Sequence, residues 1–200
     1  MAKVEFFYDY VSTFSYLANS QLVKLDAEVI YRPILLGAVM EATGNRPPLT
    51  VKAKGKYLFV DVERWARRYS IPYKMNPKFP FNTVKSLRLA LVAQQQGTFE
   101  KIHQPLFDAM WANEQDLSDE SVLAGIIADA GLPADEMLAK ISTDEIKSEL
   151  RANTDEAVSR GAFGAPTFFV GDEMFFGNDR FEFIAEAIRN QSFLISRERL

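Results

Sequence analysis

The stretch FFYDYVSTFSYLA, residues 6–18, passes from a strand pattern to a helix pattern within two residues. Its aromatic and β-branched run, which is typical of a buried strand, stops at Val11. The apolar residues that follow have helical spacing: Phe14, Leu17, Ala18, Leu22 and Leu25. Ser12, Thr13 and Ser15 crowd the junction. Either a hydroxyl simply caps this helix, or a hydroxyl is presented to a ligand at the helix N-terminus; taken alone, capping is favoured because caps are commoner.

The residues that follow predict a second strand, a loop and a helix. AEVIYRPILL, residues 27–36, is typical of a strand ended by Pro33. TGNRPPLT, residues 43–50, concentrates turn residues and predicts a surface loop. Helical spacing returns over residues 55–69, and SIPYKMNPKFPFN, residues 70–82, then interrupts it with three prolines. We therefore expect a domain boundary in this proline-rich segment.

The second half of the chain predicts helices followed by a hairpin. Residues 82–160 have almost continuous helical patterns. PTFFV (166–170) and EMFFG (173–177) predict two strands joined at Gly171 and Asp172, and a last helix follows from Arg180 towards Arg189. The tail QSFLISRERL, residues 191–200, lacks clear periodicity, and we expect it to be ordered only against a partner.

These patterns combine into an α/β fold in which one sheet is interrupted by an all-helical insertion. A β-α-β start and a β-β-α finish form the sheet, with the helical block between them. We predict a discontinuous sheet domain of residues 1–75 and 155–200, and a helical insertion domain of residues 76–154.

Composition excludes several classes of function. The net charge is −4, with 23 Lys and Arg among 27 Asp and Glu, so no basic surface is predicted for nucleic acid. No apolar run reaches the ~20 residues of a membrane span, and the first residues lack a signal peptide, so we expect a cytoplasmic protein. With no cysteine, any thiol chemistry requires a thiol that the protein binds.

Hydrolytic and metal chemistry receive little support from the sequence. The single histidine, His103, lies among apolar residues of a predicted helix that also contains Pro105. A buried histidine with satisfied hydrogen bonds is favoured over a catalytic base. No G-x-S-x-G motif and no spacing of metal ligands is present, so no metal site is predicted.

Three stretches together resemble one family: FFYDYVSTFSYLA (6–18), TGNRPPLTVKAKGKY (43–57) and GAFGAPTFFVGDEMFFGNDR (161–180). The chain resembles the 2-hydroxychromene-2-carboxylate isomerases, relatives of kappa-class glutathione transferases and bacterial disulfide oxidoreductases, from about residue 3 to about residue 190. The resemblance implies a thioredoxin-like domain split by a helical insertion, and glutathione as the cofactor.

The resemblance also implies a set of site residues. Ser12 takes the place of the active serine, and Pro166 that of a cis-proline, although the residues alone favour a trans Ala165–Pro166 bond. The implied glutathione contacts are Asn45, Lys54, Ala165, Pro166, Asn178 and Asp179. From the residues alone, a solvated charge is favoured for Lys54, and a cap of the last helix is favoured for Asn178 or Asp179. The chain has Thr13 where the family usually has proline, which leaves open whether Thr13 competes with Ser12 for the capping bond.

The implied reaction uses the thiolate of bound glutathione. A free thiol has a pKa of ~8.5. A hydrogen bond from Ser12 and the nearby helix N-terminus together would lower this pKa by one to two units, and each unit requires about 1.4 kcal/mol. The thiolate then adds reversibly to a double bond conjugated to a ketone, in a small aromatic carboxylate substrate. Lys54 or a helix N-terminus is a candidate for the substrate carboxylate. Asn82 and Trp111 are candidates for the substrate pocket, with a core position favoured for Trp111.

Two other functions remain open at this stage. A kappa-like glutathione S-transferase would use the same thiolate but release a stable adduct with a small electrophile. A non-catalytic glutathione-binding module would bind the peptide without activating the thiol. In each case we expect a homodimer, because dimers are common among related folds.

Overall fold

A four-stranded sheet lies at the centre of the fold, in the strand order β2-β1-β3-β4. The computed structural model describes residues 2–197, with side chains described through residue 191. The strands are β1 (Lys3–Tyr8), β2 (Glu28–Pro33), β3 (Thr167–Val170) and β4 (Glu173–Phe176). Strands β1 and β2 are parallel, whereas β3 is antiparallel to both β1 and β4. The predicted single sheet, built from both ends of the chain, is therefore confirmed.

The helices in the described residues are α1 (Thr13–Asn19), α2 (Leu36–Thr43), α3 (Lys52–Tyr69), α4 (Val84–Gln95), α5 (Phe99–Trp111), α6 (Glu120–Asp129), α7 (Ala134–Lys140), α8 (Asp144–Ser159) and α9 (Phe181–Arg197). Short 3-10 turns occupy Leu22–Lys24 and Pro48–Thr50. Helices α4 to α8 occupy the stretch predicted to be helical. Within residues 2–197, none of the helices combines the length and apolarity that a membrane crossing requires.

Two helix ends differ from the prediction. Helix α1 stops at Asn19 although helical spacing continues to Leu25, and the Ser20 hydroxyl donates to the Leu17 carbonyl at 2.7 Å, a local bond that competes with helix continuation. Helix α9 continues to Arg197, beyond the predicted end, because propagation adds one backbone bond per residue and needs no apolar period. The last three residues of the predicted tail lie outside the described residues.

Both faces of the sheet are buried because β1 and β3 are apolar on both sides. Phe6 stacks on Phe168 on one face, with ring centroids 5.1 Å apart, and Phe7 meets Phe169 on the other at 5.5 Å. The first face belongs to the same core as residues of the inserted helices, which therefore pack directly on the sheet. Trp111 lies in this core, fully buried, and its indole nitrogen donates to the Tyr10 carbonyl at 2.8 Å.

The topology brings distant segments to one edge of the sheet. Strands β1 and β2 are parallel and end at this edge; β3 begins there, and β4 ends there. Ligands of open α/β sheets characteristically bind at the carboxyl ends of strands. Helix α8 packs against α2 and β2 as well as against α4, and it runs through residue 154, where the sequence analysis placed the end of the insertion. The exact domain boundaries remain predictions.

Candidate active site

Ser12 forms the turn between β1 and α1, and its side chain makes two hydrogen bonds. Its Oγ accepts from the backbone N–H of Ser15 at 3.1 Å, which confirms the capping interpretation. The same hydroxyl donates to the carbonyl of Ala165 at 2.9 Å, across 153 residues of sequence. Thr13 is the first residue of α1, and the capping bond goes to Ser12 rather than to it. The proton of the Ser12 hydroxyl is therefore already engaged with the segment that precedes β3.

The Ala165–Pro166 peptide is cis, as the family resemblance implies and against the expectation from the residues alone. Pro166 lies directly before β3, and its carbonyl accepts from the Gly177 N–H at 3.1 Å. This bond joins the start of β3 to the turn after β4. The segments that carry Ser12, Pro166 and Gly177 thus converge at one edge of the sheet.

The turn after β4 carries the two predicted residues Asn178 and Asp179. Helix α9 begins at Phe181, so the capping position falls on Arg180 and not on either of them. Asn178 is 4% exposed; its carbonyl accepts from the Tyr69 hydroxyl at 2.8 Å, while its buried Nδ2 has no hydrogen-bond partner among the described residues. Asp179 pairs with Arg180 at 2.7 Å. An unpartnered buried amide is costly and points to a missing acceptor.

The loop after α2 is tied to the segment before β3. The Nδ2 of Asn45 donates to the carbonyl of Phe163 at 2.7 Å, and its Oδ1 accepts from the Arg46 N–H at 2.8 Å. Lys54, in the first turn of α3, is exposed. Asn45 therefore fixes the start of the loop that carries Arg46 and leads to α3, where Lys54 lies.

One cavity of about 910 Å³ brings the predicted residues together. Its lining includes all seven predicted site residues: Ser12, Asn45, Lys54, Ala165, Pro166, Asn178 and Asp179. Asn82 also lines it, whereas the other candidate for the substrate pocket, Trp111, does not and is a core residue. The volume is in the range of small-molecule sites. The roles of these residues remain predictions; their shared position is a property of the fold.

Three features of the cavity escaped the sequence analysis. Asp9, Arg46 and the segment Phe79–Phe81 line it, and the Phe79–Pro80 peptide of that segment is cis. Asp9 did carry a signal, since it is a lone carboxylate between Tyr8 and Tyr10 in an otherwise apolar strand end. Arg46 and the Phe79–Phe81 segment gave none, because exposed arginines and proline-rich loops are common.

The Asp9 carboxylate is held by hydrogen bonds alone. It is 2% exposed, and its two oxygens accept from the Thr83 hydroxyl (2.6 Å), the Val11 N–H (3.0 Å) and the Leu36 N–H (3.0 Å). Burial raises its pKa, against the opposing effect of these three donors. Among the described residues no cation pairs with it.

Two cations of the cavity lining, Arg46 and Lys54, have no ion-pair partner among the described residues. Asp61 lies 3.9 Å from Arg64, and Asp179 pairs with Arg180. Within the described part of the chain, Arg46 and Lys54 line the cavity with no carboxylate at salt-bridge distance. The side of the cavity formed by the loop after α2 and the start of α3, here called the loop side, can therefore bind anionic groups.

His103 is not part of this cavity. Its Nδ1 lies 3.0 Å from the Tyr10 hydroxyl, and its Nε2 lies 2.9 Å from the Asn19 Oδ1. Because an amide oxygen only accepts, Nε2 carries the proton and Nδ1 of the neutral ring accepts from Tyr10. Burial lowers its pKa to about 3, so the ring is neutral at physiological pH. The interpretation of His103 as a buried histidine with satisfied hydrogen bonds is confirmed.

The sheet, its helical insertion and the cis-proline before β3 define the thioredoxin-like class of protein. The sequence pattern of the DSBA-like thioredoxin domain matches residues 3–189, and the chain belongs to that family. Two steps of the sequence analysis, the fold class and the family, are thereby confirmed.

Within this family the chain is similar to isomerases and kappa-class transferases. It is 33% identical to the 2-hydroxychromene-2-carboxylate isomerase of Sphingobium xenophagum, over 90% of this chain and 95% of that protein. It is 31% identical to glutathione S-transferase kappa 1 of Rattus norvegicus, over 91% of this chain and 88% of that one. A solved structure of a 2-hydroxychromene-2-carboxylate isomerase superposes with a TM-score of 0.88 at 29% identity, and the match covers 98% of each chain. The protein is an enzyme of the isomerase and transferase group that these relatives represent.

Proposed function

We propose that this protein is a glutathione-dependent isomerase, similar to 2-hydroxychromene-2-carboxylate isomerase, in which bound glutathione supplies a thiolate for reversible conjugate addition to an aromatic enone-pyruvate substrate. The observation that carries the proposal is the convergence of Ser12 and the six predicted glutathione contacts on one cavity of about 910 Å³. The names of the similar proteins, an isomerase and a glutathione transferase, support the same reading.

Ser12 is the residue proposed to act on the thiol. Its Oγ can keep accepting from the Ser15 N–H while its proton turns from the Ala165 carbonyl towards a sulfur. The Ala165 carbonyl would then be free to accept a peptide N–H. A hydrogen bond to a charged acceptor contributes about 1.5–3 kcal/mol, so the exchange favours the ionised thiol.

The turn before α9 fits the amino-acid end of a glutamyl peptide. The buried Nδ2 of Asn178 lacks an acceptor among the described residues, and the first N–H groups of the 17-residue helix α9 lie close to it in sequence. A carboxylate would satisfy both. Asp179, although paired with Arg180, is 42% exposed and keeps lone pairs for an ammonium group.

The loop side fits two further carboxylates. We assign Lys54 to the carboxylate at the glycyl end of glutathione and Arg46 to the carboxylate of the second substrate. Both side chains line the cavity without a salt-bridge partner in the described residues. Asn45, bonded to the Phe163 carbonyl and to the Arg46 N–H, would keep Arg46 in place.

The test of the proposal is a titration of the purified protein with glutathione across pH, followed by thiolate absorbance. We expect saturable binding and a thiol pKa one to two units below the ~8.5 of a free thiol. Isomerisation of 2-hydroxychromene-2-carboxylate with glutathione recovered unchanged would complete the assignment. A stable adduct would identify a kappa-like transferase, binding without a pKa shift would identify a binding module, and no binding would overturn the glutathione proposal.

Replacement of Arg46 tests whether the electrophile carries a carboxylate. In the Arg46→Leu variant, kcat/KM for the Z-to-E isomerisation of benzylidenepyruvate is expected to fall about tenfold, the loss of roughly 1.4 kcal/mol of ion pairing, while kcat/KM for the same isomerisation of benzylideneacetone stays unchanged. The two compounds share the enone, but the second lacks the carboxylate. Arg151→Leu, which removes an exposed arginine outside the cavity, is the matched control. Equal losses with both compounds would contradict the assignment of Arg46.

The homodimer expected from related folds also remains a proposal. Sedimentation equilibrium of the full chain would give a mass of about twice 22.7 kDa if it is right, and the mass of a single chain if it is wrong.

A further inference from the structure

Asp9 connects three segments that form the walls of the cavity. Its carboxylate binds the Val11 N–H in the turn before Ser12, the Leu36 N–H at the start of α2, and the hydroxyl of Thr83 directly before α4. Asp9 and Thr83 are buried, and Val11 and Leu36 are half-buried. All four residues line the cavity. One side chain thus joins the turn before Ser12, the start of α2 and the residue before α4.

The bond to Thr83 has a particular position. Among the described residues, it is the one hydrogen bond between cavity-lining residues that links the sheet domain to the predicted insertion, across 74 residues of sequence. Other bonds between these two parts, such as that from Trp111 to Tyr10, involve residues that do not line the cavity. Asp9 and Thr83 therefore connect, at the cavity wall, the turn that carries Ser12 with the segment that follows Phe79–Phe81.

We propose that Asp9, through its bond to Thr83, is a positioning residue that holds the aromatic wall of the cavity at the distance required by a flat, conjugated electrophile. The aromatic wall consists of Phe79 and Phe81, which lie in the segment that leads to Thr83. Leu35 and Leu36 line the cavity at the start of α2. A carboxyl group suits this role because its two oxygens can accept hydrogen bonds from donors on both sides, as they do from Val11, Leu36 and Thr83. The inference rests on the proposed function.

The proposal separates the two ligands of the enzyme. The residues assigned to glutathione lie on the turn before α1, the loop after α2, the segment before β3 and the turn before α9. None of them is bonded to Thr83. Loss of the Thr83 hydroxyl is therefore expected to change binding of the electrophile and to leave glutathione in place.

The experiment compares Thr83→Val, which has nearly the same shape without the hydroxyl, with Thr83→Ser, which restores the donor. With saturating glutathione, KM for the Z-to-E isomerisation of benzylidenepyruvate is expected to rise about tenfold in Thr83→Val and to return to the wild-type value in Thr83→Ser. The glutathione Kd and the pKa of the bound thiol should match those of the wild type in both variants. Thr98→Val is the matched control, because it removes the hydroxyl of a half-buried threonine directly before α5, outside the cavity and without a bond to Asp9 or Thr83.

Asp9→Asn examines the other partner of the bond, and it keeps the test usable if Thr83→Val does not fold. An amide has one acceptor oxygen, so its NH₂ group must face one of the donors that the carboxylate accepts. The same rise in KM at constant glutathione Kd is expected. A wild-type KM in Thr83→Val, no rescue by Thr83→Ser, or a parallel rise in the glutathione Kd would overturn the inference alone. Failure of the wild type to bind glutathione would instead overturn the proposed function.

Discussion

The Ser12→Ala variant is expected to return the pKa of the bound glutathione thiol to that of free glutathione. Alanine removes the hydroxyl that we propose as donor to the sulfur. A hydrogen bond to a charged group contributes about 1.5–3 kcal/mol, which corresponds to one to two pKa units. The variant is also expected to lose roughly 10- to 100-fold in kcat, because the thiolate is the nucleophile of the proposed reaction.

The length of α1 makes this hydroxyl more important than the sequence suggested. The predicted helical spacing continues to Leu25, but α1 spans only the seven residues Thr13–Asn19. A helix terminus contributes ~0.3–1 kcal/mol to a nearby anion in exposed positions, and a helix this short contributes at the lower end. The Ser12 hydrogen bond is thus left with the larger share of the expected pKa shift.

Ser15→Ala is the matched control for Ser12→Ala. Ser15 lies in the first turn of the same helix, its buried Oγ has no partner among the described residues, and it does not line the cavity. It should therefore keep the wild-type thiol pKa and kcat. The control matters because loss of the Ser12 cap itself costs about 1 kcal/mol of folding free energy. Thermal unfolding of both variants separates that loss from the catalytic one. An unchanged thiol pKa in Ser12→Ala would contradict the role given to Ser12.

Acidification is expected to destabilise the protein through His103. Burial lowers the pKa of His103 to about 3 in the folded protein, whereas an unfolded histidine has a pKa of about 6.5. Between these values the unfolded chain binds a proton that the folded protein does not. The contribution of neutral His103 to the free energy of unfolding is therefore complete above pH 6.5 and is lost as the pH falls towards 3, at up to about 1.4 kcal/mol per pH unit.

The measurement is the free energy of unfolding in urea between pH 7.5 and 4.5, for wild type and His103→Phe. Phenylalanine keeps aromatic packing among Tyr31, Phe99 and Phe107 but cannot be protonated. The wild type is expected to lose about 2–3 kcal/mol more than the variant across this range, although the variant is the less stable at pH 7.5 because it leaves the Tyr10 hydroxyl without its acceptor.

Protonation of Asp9 has the opposite effect on the free energy of unfolding, and this effect cancels when wild type and His103→Phe are compared. Its raised pKa means that the folded protein takes up that proton earlier than the unfolded chain, which offsets part of the acid destabilisation in both proteins alike. Equal pH dependence of wild type and His103→Phe would show that His103 is protonated without cost, and would contradict its buried, neutral state.

Several features of the fold follow from short stretches of sequence. The aromatic run before Val11, the strand ended by Pro33 and the hairpin at Gly171 and Asp172 were predicted because each depends on residues close together in the chain. The hairpin is confirmed by the pairing of β3 with β4, and Gly171 takes the left-handed φ of 61° that the tight turn requires. Helix ends were less predictable, since side-chain bonds such as that of Ser20 decide them locally.

The site itself depended on contacts between distant residues. The resemblance supplied seven residues, but no local pattern indicates that Asn45 binds the Phe163 carbonyl or that Ser12 donates to Ala165. Asp9 appeared as one polar residue in an apolar strand end, and its partner Thr83 lies 74 residues away. Such bonds are selected by the packing of complete elements, which sequence periodicity does not describe.

Sequence alone determined the alternation of strands and helices and the helical insertion, because backbone preferences depend on residues close together in the chain. It also determined the absence of a protein thiol, because the composition contains no cysteine. Only the tertiary structure decided that Ser12 faces a cis-proline, that Asn178 is left with a buried unpartnered amide, and that Trp111 belongs to the core. The order of strands placed β1, β3 and β4 side by side, and this pairing of the two ends of the chain brought the residues of the site together.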